Sequence, residues 1–140
     1  MKDYDALLKM YKLRLQKALQ HLRYSFSKIS NANTKVQNLS EAELESWESF
    51  AARHARVVDL FLAKYVRAFV LKDDPGFNGS LRDFANQAEK LGLIDSAHEW
   101  MALRELRNII AHEYTDEDTE VMFNTLKDTA PRLLLLEKKI

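Results

Sequence analysis

The sequence has no cysteine among its 140 residues and only three glycines and two prolines. The absence of cysteine excludes disulfides, thiolate catalysis and cysteine-based zinc sites. So few glycines and prolines leave too few turn residues for a many-stranded sheet, which favours helices. No apolar run approaches the roughly 18 residues of a membrane span, and residues 1–22 contain no apolar segment of the signal-peptide kind. We therefore expect a cytoplasmic protein that does not contact a membrane.

The charges of the chain are balanced, with 21 lysines and arginines against 21 aspartates and glutamates. Hydrophobic residues make up 46% and charged residues 30%, which is typical of a globular protein and not of a disordered one. The length fits one domain, which we expect to span residues 1–140. Because the net charge is zero, a nucleic-acid site would have to come from a local arrangement of cations.

The spacing of apolar residues predicts five helical segments. Three- and four-residue steps run from Leu8 to Ile29 in the first and from Leu44 to Phe69 in the second. The apolar positions expected to face the core in the second helix are Leu44, Trp47, Ala51, His54, Val58, Phe61, Tyr65 and Phe69. The polar stretch 30–40 connects the two helices.

Capping signals set the other helix ends. Ser40 and Ser80 are predicted N-caps of the second and third helices, and Gly92 is expected in a left-handed conformation after the third. The fourth helix begins near Asp95 or Ser96, and Thr115 caps the fifth, which Pro131 should kink or break before residues 133–136. The expected fold is all-α, an antiparallel four-helix bundle with an additional short helix.

The most informative segment runs from Arg104 to Tyr114 and reads RELRNIIAHEY. On a straight helix Arg107 and His112 would point about 140° apart, so one site could use both only if the helix ends between them or two copies combine. The polar residues that follow indicate a helix ending at His112, where the helix dipole favours the protonated imidazole.

This Arg-x4-His-x-Tyr pattern, with Asn108 directly after Arg107, resembles the signature of HEPN domains. It is similar in particular to HepT-like toxins of toxin–antitoxin pairs and to nucleotidyltransferase substrate-binding proteins. The lead-in stretch from Leu81 to Trp100 resembles the same family, and the likeness extends back to about Ser40. One departure is the triplet at residues 53–55, which reads Arg-His-Ala where such proteins usually carry Arg-Phe-Glu.

The resemblance implies a metal-independent endoribonuclease without a cofactor. Arg107 and His112 would be the catalytic pair, Asn108 would support them, and Arg53 and Arg104 are possible contacts to RNA or nucleotide. Cleavage through the 2′-hydroxyl needs a base, an acid and positive charge on the phosphorane. One arginine and one histidine are too few for these roles, and a two-fold homodimer would supply two of each.

The resemblance also implies a partner, a minimal nucleotidyltransferase that neutralises the toxin. Tyr114 would be the residue that this antitoxin modifies with AMP, which would add bulk and negative charge beside the cleft. The alternative is a non-catalytic, nucleotide-binding partner subunit of such an enzyme, which the neutral charge and the missing glutamate favour. A third possibility is a purely structural helical dimer.

Simpler interpretations stand beside these roles. Arg107 could form a surface ion pair with Glu105 or Asp116, His112 could be a helix cap, and Tyr114 could pack at a helix junction. His54 is read as a hydrogen-bonded core or interface histidine. The four cations of the second helix are expected on its solvated face, where a basic strip for RNA is the less favoured interpretation: Arg53, Arg56, Lys64 and Arg67. The histidines show no metal-ligand spacing.

Overall fold

The computed structural model describes residues 2–29, 35–110 and 115–140, and for Arg107, Ile109 and Ile110 it describes the backbone alone. In these ranges every regular element is helical, so the expectation of an all-α fold is confirmed. The α-helices are α1 (Tyr4–Ile29), α2 (Glu41–Asp59), α3 (Arg67–Asp73), α4 (Leu81–Lys90), α5 (Ala97–Ile110), α6 (Asp116–Leu134) and α7 (Leu136–Lys139). A 3-10 turn spans Val36–Asn38, and a π-helical segment spans Leu60–Val66.

The five predicted helices account for these elements. The π segment joins α2 to α3 without interruption, because Leu60 and Arg67 at its two ends both have right-handed helical backbone angles. Residues 41–73 therefore form one rod, which is the predicted second helix. Helices α4 and α5 are the predicted third and fourth, and α6 with α7 makes up the fifth.

Hydroxyl side chains cap four of the helices: Ser96 caps α5 by accepting from the Glu99 amide at 3.1 Å, and the other three caps are the ones that the sequence predicts. The Ser40 hydroxyl accepts from the Glu43 amide at 3.1 Å while the Glu43 carboxylate accepts from the Ser40 amide. Ser80 forms the same reciprocal box with Asp83 ahead of α4. Thr115 accepts from the amide of Asp118 at 3.2 Å. Each box satisfies amides that have no partner in the first helical turn, which fixes where the helix starts.

The end of the last helix differs in detail from the prediction. Helix α6 continues through Pro131 as far as Leu134, and the break falls at Leu135, whose amide closes a tighter turn on the Arg132 carbonyl. Proline removes one hydrogen bond and crowds the preceding turn, but it leaves the following residues free to stay helical. The break therefore falls within residues 133–136 and not before them. At the other helix end, Gly92 has φ +81°, the left-handed conformation expected of it.

The core lies where α1, the rod of residues 41–73, α5 and α6 meet. Helix α1 packs along α2, the π segment and α3, while α6 contacts both α1 and α2, and α4 packs on α3 and α5. Its largest side chains are aromatic: Trp47 stacks on Phe123 at 4.6 Å between ring centroids, and Phe61 contacts Trp100 at 4.5 Å. Among the described residues, no helix is both long enough and apolar enough to cross a membrane.

The π segment changes which face of the rod is buried. The sequence pattern places Tyr65 and Phe69 in the core. Tyr65 is half-buried and packs against the core, and Phe69 is also half-buried, whereas Val66 and Val70, which the pattern missed, are fully buried. A π turn holds more residues than an α turn, so side chains after it are displaced around the axis from the positions that a 3.6-residue period predicts.

Candidate functional site

Helix α5 carries the first part of the motif. Arg104 is half-buried, and Arg107 and Asn108 follow it by three and four residues, one helical turn further along. His112 and Tyr114 lie outside the described residues, as does the predicted helix end at His112. Helix α6 begins at Asp116, after the extended residue Thr115. The motif thus begins in the last described turn of α5 and continues in the sequence toward the cap of α6.

The exposed Asn108 side chain already has a partner within α5. Its Nδ2 donates to Glu105 Oε2 at 2.8 Å, an i, i+3 contact on the helix surface. The sequence left Glu105 as a possible ion-pair partner of Arg107, and in the structure this carboxylate accepts from Asn108. An amide held in this way is oriented before any ligand arrives, which suits the supporting role expected of Asn108.

A surface groove of about 520 Å³ separates α5 from the rod and includes Arg104 on one wall. The opposite wall is the face of α2 and the π segment. Its lining on that side consists of small residues and three charged ones: Ala52, Ala55, Arg56, Asp59, Leu60, Ala63 and Lys64. The small alanine side chains leave room for the groove between the two helices.

The charge of this groove is positive, unlike that of the whole chain. Three cations line it, Arg56, Lys64 and Arg104, and Asp59 is the carboxylate among its lining residues. Arg56 and Lys64 are exposed, and within the described part of the chain none of the three cations has an ion-pair partner. Asp59, by contrast, is already engaged in an interaction of its own. The groove can therefore attract an anion from solution.

Arg53 lies elsewhere, half-buried against α1 and not fully in solvent. Its guanidinium turns toward α1, where it donates to the Ser25 hydroxyl at 2.8 Å and to the His21 carbonyl at 3.1 Å. Ser25 is buried, so this contact fastens α2 to α1. The structure brings Arg104 together with Arg56 and Lys64, and it does not bring Arg53 to that groove. The sequence gives no sign of this difference, because Arg53 and Arg56 both fall off the apolar stripe.

His54 is a core residue, as its position on the apolar stripe indicates. It is 1% exposed, and its Nε2 lies 2.9 Å from Thr129 Oγ1 on α6. Burial lowers the pKa of His54 from 6.5 to about 4, since the charged imidazolium would lose its solvation. His54 is therefore neutral near pH 7.

In residues 2–29, 35–110 and 115–140, no group of three or more histidine, aspartate or glutamate side chains is arranged to hold a metal ion.

Comparison with known proteins gives a match for the carboxy-terminal part of the chain. Residues 81–140, from the start of α4 to the last residue, match the family model described as ribonuclease HepT-like. This part of the chain is HepT-like. The resemblance inferred from the sequence is confirmed, and the matched part includes the whole Arg107–Tyr114 motif. No curated protein and no solved structure matches the chain.

The HepT-like match begins at Leu81, so it does not extend to α1 or to the rod of residues 41–73. The sequence likeness from Ser40 onward is thus supported only from Leu81. The rod nevertheless supplies the second wall of the groove beside α5. The sequence did not predict that Arg56 and Lys64 line the same groove as Arg104. The signal that could have indicated them is the run of alanines at 52, 55 and 63, which gives that face of the rod no bulk.

Proposed function

We propose that this HepT-like protein is a metal-independent endoribonuclease that acts as a homodimer. The observation that carries the proposal is the Arg107, Asn108, His112 and Tyr114 motif, which lies inside the residues matched by the ribonuclease HepT-like family. The reaction is attack of a ribose 2′-oxygen on the adjacent phosphorus with expulsion of the 5′-oxygen. One proton leaves the 2′-hydroxyl and another reaches the departing oxygen.

Arg107 and His112 divide the work of this reaction in the proposal. The guanidinium provides the fixed positive charge that stabilises the phosphorane, and the imidazole transfers protons. The five-residue separation and the number of roles both favour a site made from two copies of the chain. Asn108, oriented by Glu105, supports the pair.

The test is RNA cleavage in excess EDTA by the parent protein and by His112→Ala and Arg107→Ala, all purified identically. Cleavage by the parent alone, leaving 2′,3′-cyclic phosphate ends, is the expected outcome, with losses of at least 10²-fold in the variants. Lys138→Ala, an exposed change on α7, is the matched control and should cleave like the parent. Equal cleavage by the parent and His112→Ala would rule out the site assignment.

The proposal includes a minimal nucleotidyltransferase as the neutralising partner, with Tyr114 as the site of AMP transfer. Incubation with such an enzyme and ATP should add one AMP, and Tyr114→Phe should abolish the addition while its cleavage activity persists. Mass spectrometry reads the modification directly. Addition of AMP to Tyr114→Phe would show that another residue is the acceptor.

The second candidate is a non-catalytic partner subunit of such a nucleotidyltransferase. Two observations favour it: the zero net charge, and the triplet at residues 53–55, which has alanine where related proteins usually carry glutamate. It predicts a stable complex with the nucleotidyltransferase and no RNA turnover in the assay above. A nuclease-free preparation whose cleavage depends on His112 would eliminate it.

A further inference from the structure

The groove beside α5 adjoins a second one on the same rod. The second groove has a volume of about 250 Å³ and lies between the amino-terminal part of α1 and the segment that runs from the π turn into α3. The two grooves share Ala63 and Lys64. We call the two adjoining grooves together the basic track; Arg104 lines the first groove and Lys2 the second.

Cations dominate this basic track. The second groove adds Lys2 and Arg67 to the three cations of the first, and all of its lining residues are uncharged or basic. Five cations thus face one carboxylate, Asp59, on a chain whose total charge is zero. Such local excess is the arrangement that a neutral chain needs to bind a polyanion.

Two tyrosines in the second groove indicate which polyanion fits. Tyr4 and Tyr11 line it beside Lys64 and Arg67, and both are half-buried. Aromatic rings interleaved with cations bind single-stranded nucleic acid, because unpaired bases stack on the rings while phosphates contact the cations. A duplex has no unpaired base faces to offer.

The position of Lys64 in the π segment joins the two halves of the basic track. It is exposed and lies on the shared wall. Along the rod the lining residues extend from Ala52 to Leu71, about 28 Å at helical rise. That length accommodates several nucleotides and ends at α5, one turn before Arg107 and Asn108.

We infer that the basic track holds the single strand of RNA that flanks the scissile phosphate, with Lys64 at its centre and Tyr4 and Tyr11 as stacking surfaces. The inference deepens the proposed ribonuclease function and rests on it for the position of the cut. The strand would lead from the second groove past Lys64 and Arg56 to the motif on α5. Binding along the track needs no catalysis, so the two can be measured separately.

The experiment uses the full chain and a fluorescent, 12-nucleotide, 2′-O-methyl RNA, which lacks the hydroxyl needed for cleavage. Anisotropy is measured from about 50 to 200 mM salt for the parent, Lys64→Ala, Lys64→Arg and Lys138→Ala. We expect Lys64→Ala to weaken binding about 3- to 10-fold and to reduce the salt slope by about 0.7, the loss of one phosphate contact on a single strand. Lys64→Arg and Lys138→Ala should bind like the parent.

A parent that does not bind the probe, or a Lys64→Ala variant with the affinity and salt slope of the parent, would overturn the inference. An equal loss in Lys138→Ala would do the same, because it would show that any surface cation matters. Tyr11→Ala should also weaken binding, while Tyr11→Phe should not, provided that both melt within a few degrees of the parent.

The outcomes separate this inference from the proposed function. Probe binding that depends on Lys64 in a protein that does not cleave RNA would support the track and count against the ribonuclease. RNA cleavage that depends on His112, with KM unchanged in Lys64→Ala, would support the ribonuclease and reject the track.

Discussion

His54 on α2 and Thr129 on α6 share a hydrogen bond across the core, with 2.9 Å between Nε2 and Oγ1. The Thr129 hydroxyl itself donates to the Thr125 carbonyl at 2.8 Å. Because a hydroxyl has one proton, we infer that Nε2 carries the imidazole hydrogen and donates it to Thr129. The contact satisfies a buried polar group and joins two helices that have no other side-chain hydrogen bond in the described residues.

We predict that His54 makes the fold sensitive to mild acid. Its pKa of about 4 in the folded protein is below the ordinary 6.5 that it regains on unfolding. Above pH 6.5 both states are neutral; as the pH falls toward 4 the unfolded chain takes up the proton first, so stability decreases. The loss over this window is about 3 kcal/mol. Urea unfolding of the parent and of His54→Leu at pH 7.5 and 4.5 measures this loss. An equal loss of unfolding free energy in the two proteins would contradict the prediction.

Arg53→Ala should lower stability without affecting binding of RNA. The guanidinium bonds to Ser25 and to the His21 carbonyl, so its removal should cost about 1–2 kcal/mol. Thermal unfolding and probe anisotropy measure the two properties on one preparation. Arg104→Ala is the counterpart in the groove and should weaken binding more than it lowers stability. If Arg53→Ala weakens binding at unchanged stability, Arg53 belongs to the binding surface after all.

Gly79→Ala should destabilise the start of α4. Gly79 has φ +152°, and a Cβ there would lie 2.6 Å from Asp83 Oδ2 and 2.8 Å from Asp83 Cβ, so the capping box with Ser80 would have to open. We expect a loss of about 2 kcal/mol in the free energy of unfolding. Gly76→Ala is the control, since its nearest neighbour is an Asp74 oxygen at 3.6 Å, and it should change stability by less than about 0.5 kcal/mol. Equal effects of the two changes would mean that the box is not responsible.

Thr115→Ala should weaken the start of α6 by about 1 kcal/mol, because the amide of Asp118 loses its side-chain acceptor. Thr115→Ser keeps the hydroxyl and should retain the stability of the parent. Chemical unfolding of the three proteins at one pH provides the comparison. A loss in the serine variant as large as that in alanine would assign the effect to the threonine methyl group.

The helix boundaries could be predicted because they depend on local chemistry. Each hydroxyl cap accepts a hydrogen bond from the amide three residues later, and this holds for Ser40, Ser80 and Thr115. Gly92 adopts the left-handed conformation directly after α4. The sequence next to each helix end is therefore sufficient to predict it. The pattern also identified the family, since the residues of its motif are close together in the chain.

The π segment and the partners of the arginines could not be predicted in this way. A π turn exists when packing of distant residues outweighs the preference for a regular helix, and burial of Val66 and Val70 against other helices is such an effect. Likewise Arg53 and Arg56 are three residues apart on one helix, and only the position of α1 decides that Arg53 is bonded while Arg56 lines the groove.

The π segment also decides where the rod tolerates a change in chain length. A π turn holds one more residue than an α turn, so deletion of one residue between Leu60 and Val66 would convert it to an ordinary α turn and leave Arg67 and Val70 on the faces that they occupy now. The same deletion in the α part of the rod, between Trp47 and Asp59, would rotate everything on one side of it by about 100°. A single-codon deletion would thus damage the fold and the basic track there, whereas in the π segment it would be absorbed.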